Sequence, residues 1–403
     1  MAHGQVSHSA ITGNFCAVGT FSPGIEIWNL DVLNALEPSC VLGGEDNSIT
    51  DELMKLQIIN AATGSSSSKN KNNKSKVSRP KANPSGLRPG SHTDAVMSLS
   101  WNPIHKQVLA SGSADRTVKL WDVTRATSNH DETNNANATT YTHHKNKVSS
   151  VAWNPKEGTL LATGSYDRTV AILDARCSNS TNGSPTSNIK QVRISADCET
   201  IVWDPLRTEY LTVVSEDGIV RCWDVRKFET STPFWTLSAS EFGGVTDLSY
   251  NAHVPGLMVT CSIDKTITLW DAHNIDASSA KVLPPKPCGN KDMCVGKLYS
   301  VGFYPSTPWL LGCGGSGNEL ALWDLSSEES IQKNFQGRMS LAQQESSTTS
   351  NDDVSRPTLD ESFDAMMNNN EKMNDTTTIK EETPSSQKKK KKGKLKPKVH
   401  RKI

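Results

Sequence analysis

The stretch Gly112-Ser-Ala-Asp-Arg-Thr-Val-Lys-Leu-Trp-Asp122 decides the fold. It reads as strand, turn, strand. Leu109 and Ala110 lie in an apolar run, Asp115-Arg116 makes a tight polar turn, and Val118, Leu120 and Trp121 form the next strand before Asp122. The phrase recurs. Residues 164–174 read GSYDRTVAILD, residues 215–224 SEDGIVRCWD and residues 261–271 CSIDKTITLWD. Residues 314–324 end in ELALWD and residues 19–31 in GIEIWNLD, which makes six copies. Self-similarity at a fixed period marks a repeat architecture, in which each unit buries its apolar face against its neighbours.

Working outward, each phrase is preceded by a strand that ends in an aromatic. The clear cases are residues 95–101, 148–153 and 199–203, and residues 245–250 and 299–303 are weaker ones. Asn102-Pro103, Asn154-Pro155 and Asp204-Pro205 follow directly, and proline, with φ fixed and no N–H to donate, stops a strand. Six residues then separate turn Asp from strand Trp in three copies: Asp115 to Trp121, Asp217 to Trp223 and Asp264 to Trp270. Asp167 has Leu173 in the Trp position. The last five copies end 47 to 53 residues apart, a little longer than the usual blade repeat of ~40–45. The surplus fits polar loops at 128–140 and 178–187. Near the start, residues 14–20 and 24–29 read as two strands around Ser22-Pro23, residues 37–42 as a further strand, and residues 51–59 carry helical spacing. Residues 1–12 carry no signal.

The 403 residues suffice for one large all-β domain. The 43 basic and 43 acidic residues balance, so net charge says nothing about partners, but its distribution does. Residues 63–90 hold Lys69, Lys71, Lys74, Lys76, Arg79, Lys81 and Arg88 among Ser, Asn and Pro with no acidic residue. That composition is too polar to bury a core and predicts a disordered basic insertion, a solvated loop or a phosphate-contacting arm. From 328 to 382 acidic residues outnumber basic ones twelve to five; then Lys388, Lys389, Lys390, Lys391 and Lys392 open a dense basic terminus. Such runs read as nuclear localisation or nucleic-acid contact.

Nine cysteines lie scattered without a CxxC, Cys288 and Cys294 being the closest pair, so neither a zinc site nor a disulfide framework is expected. No apolar run approaches bilayer length, and the N-terminus has no secretory pattern. No phosphate-binding loop, GxSxG or HExxH is present, and the glycine-rich residues 312–317 sit between two strands as a turn. The expectation is a protein without catalytic activity, cofactor, metal, membrane contact or small-molecule substrate, working through binding surfaces.

These repeats resemble the Trp-Asp (WD) repeat family of β-propellers. In that family a His before the first strand, a Ser or Thr on the second, an Asp in the turn and a Trp on the third share buried hydrogen bonds. The resemblance assigns this structural role to His92, Ser111, Asp115 and Trp121, to His144, Thr163 and Asp167, to Asp217 and Trp223, and to Thr260, Asp264 and Trp270, with Glu241 where a His would stand. Such groups satisfy one another away from water, so His92 is not expected to be a catalytic base.

Over residues 14–326 the chain more specifically resembles the periodic tryptophan protein 1 family. The resemblance rests on Asn14-Phe-Cys-Ala-Val-Gly-Thr, Ile25-Glu-Ile-Trp-Asn-Leu-Asp and Leu36-Glu-Pro, followed by the basic insertion. It continues with Gly90-Ser-His-Thr-Asp-Ala-Val, Leu99-Ser-Trp-Asn, Leu109-Ala-Ser-Gly-Ser-Ala-Asp and Gly164-Ser-Tyr-Asp-Arg-Thr-Val-Ala. It implies an all-β, seven-bladed propeller, here incomplete, because the first copy shows only its middle strands. The chain is expected to be N-terminally truncated and to close poorly. The expected organisation is a partial blade and linker (1–62), disordered basic insertion (63–90), propeller blades (91–326), then a disordered acidic and Lys-rich tail (327–403). The family implies a scaffold in the nucleus and nucleolus, acting with ribosome assembly proteins and pre-ribosomal RNA in ribosome biogenesis. A histone-binding regulator of ribosomal RNA gene transcription is the alternative. A ubiquitin ligase substrate receptor is a third reading, because Trp223-Asp-Val-Arg226 and Leu173-Asp-Ala-Arg176 resemble the Trp-Asp-x-Arg box of such propellers.

Overall fold

The computed structural model describes residues 2–8, 11–46, 86–126, 137–176, 189–230, 232–240, 244–273, 283–335 and 337–338. All lie in one compact unit spanning Met1–Thr358. Among the described residues the fold is nearly all β, with six antiparallel sheets arranged as the blades of a propeller. Blade 1 holds β1 (Ala2–His8), β2 (Ile11–Gly19), β3 (Ile25–Asn29) and β4 (Cys40–Leu42). Blade 2 holds β5 (Val96–Trp101), β6 (Val108–Ser113), β7 (Val118–Asp122) and β8 (Asn137–Tyr141). Blade 3 holds β9 (Val148–Trp153), β10 (Leu160–Ser165), β11 (Thr169–Asp174) and β12 (Ile189–Arg193). Blade 4 holds β13 (Cys198–Trp203), β14 (Tyr210–Ser215), β15 (Ile219–Asp224) and β16 (Trp235–Ser238). Blade 5 holds β17 (Val245–Tyr250), β18 (Leu257–Ser262), β19 (Thr266–Asp271) and β20 (Lys286–Asp292). Blade 6 has three strands among the described residues, β21 (Leu298–Phe303), β22 (Leu310–Gly315) and β23 (Leu320–Asp324).

Two expectations change here. Blade 1 has four strands, not only its middle ones. Ala2–His8, silent in the sequence because AHGQVSH has no apolar period, pairs along β2 from Ala2↔Ala17 to His8↔Ile11. The folded unit also extends past 326. Residues 329–335 are helical, and Ile331 and Phe335 are fully buried in the core shared by blades 5 and 6. Arg338 then forks onto Asp271 at 2.7 and 2.7 Å. Within the stretch expected as the basic insertion, Leu87 forms a bridge with Glu45. The helix expected at 51–59, Glu241 and Lys388–Lys392 lie outside the described residues.

Neighbouring blades pack by burying alternate strand residues face to face. Phe15, Ala17, Ile25 and Ile27 of blade 1 meet Leu109 and Trp121 of blade 2. Val170 and Ile172 of blade 3 meet Leu211 and Trp223 of blade 4. In these two pairs the strand Trp faces the preceding blade. Apolar burial of this kind contributes roughly 25 cal/mol per Å². In blades 1, 2, 3 and 6 a glycine before the turn gauges the spacing. An added Cβ at Gly112 would meet Val148 of the next blade at 2.7 Å, and one at Gly19 would meet Val96 at 2.9 Å. At Gly314 in blade 6 the nearest atom is the blade's own Leu320, at 3.9 Å. Leu320 and Leu322 on this face are 71% and 63% exposed. Among the described residues, no further blade packs on it.

Candidate functional site

Blades 2 to 5 each present at one face of the propeller a turn that carries an Asp and the loop that enters the first strand. In blade 2 these are joined by a complete relay. The Trp121 Nε1–H donates to Ser111 Oγ at 2.7 Å, and the hydroxyl lies 2.7 Å from His92 Nε2. His92 Nδ1 lies 2.8 Å from Asp115 Oδ2. A carboxylate only accepts, so Nδ1 carries the proton and Nε2 accepts from Ser111. Asp115 also takes the Thr117 hydroxyl at 2.7 Å and the Thr93 N–H at 3.0 Å. Burial pushes the Asp115 carboxyl up, but these bonds outweigh it and hold it well below the usual carboxylate range. Burial lowers the His92 imidazole.

Blade 3 builds the same relay with a substitute. Leu173 is buried but offers no N–H. His144 reaches Thr163 Oγ1 at 2.9 Å through Nε2 and Asp167 at 3.2 Å through Nδ1. His143, one residue before the motif histidine, places its Nε2 3.0 Å from the same hydroxyl. Thr163 donates to His144 and therefore accepts from His143, so His143 stands in for the missing indole. Burial, then the neighbouring His144, pulls His143 down to about 3. Its signal in the sequence was only its adjacency to His144.

In blade 4 a guanidinium replaces the imidazole. Arg221 donates to Ser215 Oγ at 2.8 Å and to Ser195 Oγ at 2.7 Å. Both hydroxyls donate to Asp217, Ser215 at 2.6 Å. Asp217 is therefore in a network, but Trp223 is not: its buried Nε1 has no hydrogen-bond partner. The strand register supplies the reason. Ser111 lies opposite Lys119, and the residue opposite Arg221 is Val213, which has no hydroxyl. In blade 5 the Trp270 Nε1–H donates to Thr260 at 2.9 Å. Asp264 takes Thr266 at 2.6 Å and Ser240 at 3.1 Å. A cavity of about 470 Å³ opens there, lined by Asp264, Thr268 and Trp270 among others.

A second set of bonds joins blade to blade. Asn102 and Asn154, which the sequence shows only as turn residues before proline, donate Nδ2–H to the carbonyls of Gly158 at 2.6 Å and Thr208 at 2.7 Å, each in the next blade. Asn251 does the same to Pro308 at 2.6 Å. Blade 4 has Asp204 at this station, which has no N–H to give and binds Arg207 at 2.8 Å. The innermost strands are tied similarly, with Ser98 Oγ accepting the Val151 N–H at 3.0 Å and Ser150 Oγ that of Ile201 at 3.1 Å. These side chains satisfy the inner strand edges, which otherwise invite wrong pairing.

Ser111, His92 and Asp115 have the group set of a hydrolytic triad, yet Ser111 and His92 are fully buried and both ends of the hydroxyl are occupied. The relay stiffens the blade and presents nothing to a substrate. Among the described residues no cluster of three or more His, Cys, Asp or Glu is placed to hold a metal. The two Trp-Asp-x-Arg-like arginines fold back on their own turns. Arg226 forks onto Asp224 at 2.8 and 2.8 Å, and Arg176 donates to Asp174 at 2.7 Å.

The model of the WD domain, G-beta repeat, matches residues 87–122, 136–174 and 231–271. Periodic tryptophan protein 1 of Saccharomyces cerevisiae is 33% identical over 342 residues, 84% of this chain and 53% of that protein. The chain belongs to the periodic tryptophan protein 1 family of WD-repeat propellers. The Drosophila melanogaster homolog of periodic tryptophan protein 1 is 27% identical over 317 residues, 78% of this chain and 55% of that protein. The chain thus spans about half the length of the curated family members it matches. More distantly, histone acetyltransferase type B subunit 2 of Candida glabrata is 22% identical over 244 residues, 59% of this chain and 54% of that protein. A chain in a crystal structure of the mitotic checkpoint complex superposes with a TM-score of 0.51 at 19% identity, covering 77% of this chain and 71% of that one. That likeness concerns the fold alone.

Proposed function

We propose that this chain is a non-catalytic WD-repeat scaffold in nucleolar ribosome biogenesis, acting in the processing of ribosomal RNA. The observation that carries the reading is the relation to periodic tryptophan protein 1 along 84% of the chain. The charge pattern supports it. A basic insertion and a terminal lysine block would attract RNA phosphates, and affinity built this way falls with salt. The proposed partners are ribosome assembly proteins and pre-ribosomal RNA, and the proposed location is the nucleus and nucleolus. Sedimentation of nuclear extract on a sucrose gradient tests it. Comigration with pre-ribosomal particles, abolished by ribonuclease treatment, is expected. Free sedimentation in untreated extract contradicts it.

The similarity to histone acetyltransferase type B subunit 2 favours a second reading, a histone-binding regulator of ribosomal RNA gene transcription. On that reading the chain stays with salt-extractable chromatin and is released by deoxyribonuclease instead.

A further inference from the structure

One corner of blade 3 gathers exposed cations on a fixed frame. The loop entering the blade carries Lys145 and Lys147, the turn after β10 carries Arg168, and β12 ends at Arg193; all four are exposed. Three hydrogen bonds from backbone N–H groups hold these segments together. The Lys145 N–H donates to Asp167 at 2.8 Å, the Tyr166 N–H to the Lys147 carbonyl at 3.0 Å and the Ile194 N–H to the Arg168 carbonyl at 2.9 Å. Arg168 sits at φ 65°, in the left-handed region that costs a non-glycine residue energy, so this turn keeps its basic side chain at some cost.

Three acidic groups stand at the corner, Asp167, Asp197 and Glu199, and each is already engaged. Asp167 is engaged inside the blade by His144 and Thr169. Asp197 pairs with Arg168 at 3.4 Å. Among the described residues, no ion pair engages Lys145, Lys147 or Arg193. Neighbouring corners differ: blade 2 presents exposed Asp94 as well as Arg116, and blade 4 presents exposed Glu216. Tyr166, half-buried, belongs to the same turn as Arg168; its hydroxyl donates to Glu199 at 3.5 Å, and burial together with Glu199 pushes that hydroxyl up to about 12, so the ring stays neutral. The root of the basic insertion is on the same face, where the Asp46 N–H donates to Gly86 at 2.9 Å and the Gly44 N–H to Ser91 at 2.8 Å.

We propose that this corner, formed by Lys145, Lys147, Arg168, Arg193 and Tyr166, is a binding surface for single-stranded RNA. Cations held on a pinned backbone meet successive phosphates with little ordering cost, and an aromatic ring among them gives a base a face to stack on. An acidic peptide uses the charges but not the ring. The choice of RNA rests on the function proposed above.

The test uses the full chain and a fluorescein-labelled 20-nucleotide oligo(U), followed by anisotropy across a salt series. The variant Lys145→Glu/Lys147→Glu/Arg193→Glu leaves the backbone pins in place. It should bind at least about tenfold more weakly, with a salt slope shallower by about 2, at roughly 0.7 for each phosphate no longer neutralised. Lys106→Glu/Lys156→Glu/Lys286→Glu carries the same charge change elsewhere on the blades and should bind nearly as wild type. Should the first variant fail to fold, Lys145→Gln/Lys147→Gln/Arg193→Gln replaces it. Equal weakening by both charge-reversed variants, or none by the first, overturns the proposal. Displacement of oligo(U) by an equal charge of polyglutamate shows a general acidic-partner surface and overturns the assignment to RNA. Unchanged oligo(U) binding leaves the ribosome-assembly reading standing, whereas the sedimentation result bears on that reading alone.

Discussion

His143 donates its Nε2–H to the hydroxyl of Thr163 across 3.0 Å, the part that Trp121 plays toward Ser111 one blade earlier. A buried hydroxyl deprived of a partner costs about 1–3 kcal/mol. His143→Ala should therefore lower stability by roughly that amount in urea unfolding, while Lys156→Ala, at an exposed turn position, should change little. Equal effects of the two would remove the substitute role assigned to His143.

The side-chain bonds between blades predict a selective substitution. Asn154→Asp keeps the oxygen that caps Lys156 and Glu157 at 3.0 and 2.9 Å, but deletes the donor and sets a carboxylate against the Thr208 carbonyl. A loss of about 1–3 kcal/mol is expected. An unchanged unfolding midpoint would mean that the Asn caps its turn and does not join blades.

Acid should destabilise the propeller, and the sign follows from the relays. His143 is held at about 3 against an ordinary 6.5, so between those values the unfolded chain binds more protons and stability falls as pH drops below about 6.5. Asp115 and Asp167 lie below the ordinary 3.8, and their contribution is present above that value and is lost below it. The melting temperature should decline from pH 6.5 to 4, and less steeply in His143→Gln. A flat profile over that range contradicts the partly buried placement of His143 against Thr163.

The outer face of blade 6 separates two kinds of leucine. Leu311 is fully buried against blade 5, whereas Leu320 and Leu322 face away from it. Leu311→Ala should cost about 2–5 kcal/mol, and Leu320→Ser/Leu322→Ser under about 0.5 kcal/mol. A large loss in the double variant, measured by chemical denaturation, would mean that this face is covered in solution.

The blades were legible because period-2 apolar strands, a turn Asp and a strand Trp recur together, each at a spacing that strand geometry enforces. Asp115, Trp121 and Thr260 could be matched to roles for the same reason. What stayed hidden depends on register between strands. Nothing near Trp223 in the chain announces that Val213 lies opposite Arg221 and leaves the indole without a partner, or that Arg221 itself ties Asp217 to Ser195. Asn102 reaches Gly158 across 56 residues, a bond that no local pattern encodes. Ala2–His8 forms a strand through backbone pairing alone, without apolar alternation to betray it. Ile331 and Phe335, at helical spacing, were hidden by the acidic composition around them.

The assignment to ribosome assembly is tested most directly by depleting the protein and following pulse-labelled ribosomal RNA on a gel. Accumulated precursors with undiminished synthesis of the primary transcript are the predicted result. Reduced synthesis of that transcript would point to the chromatin reading instead, and an unchanged profile would contradict both.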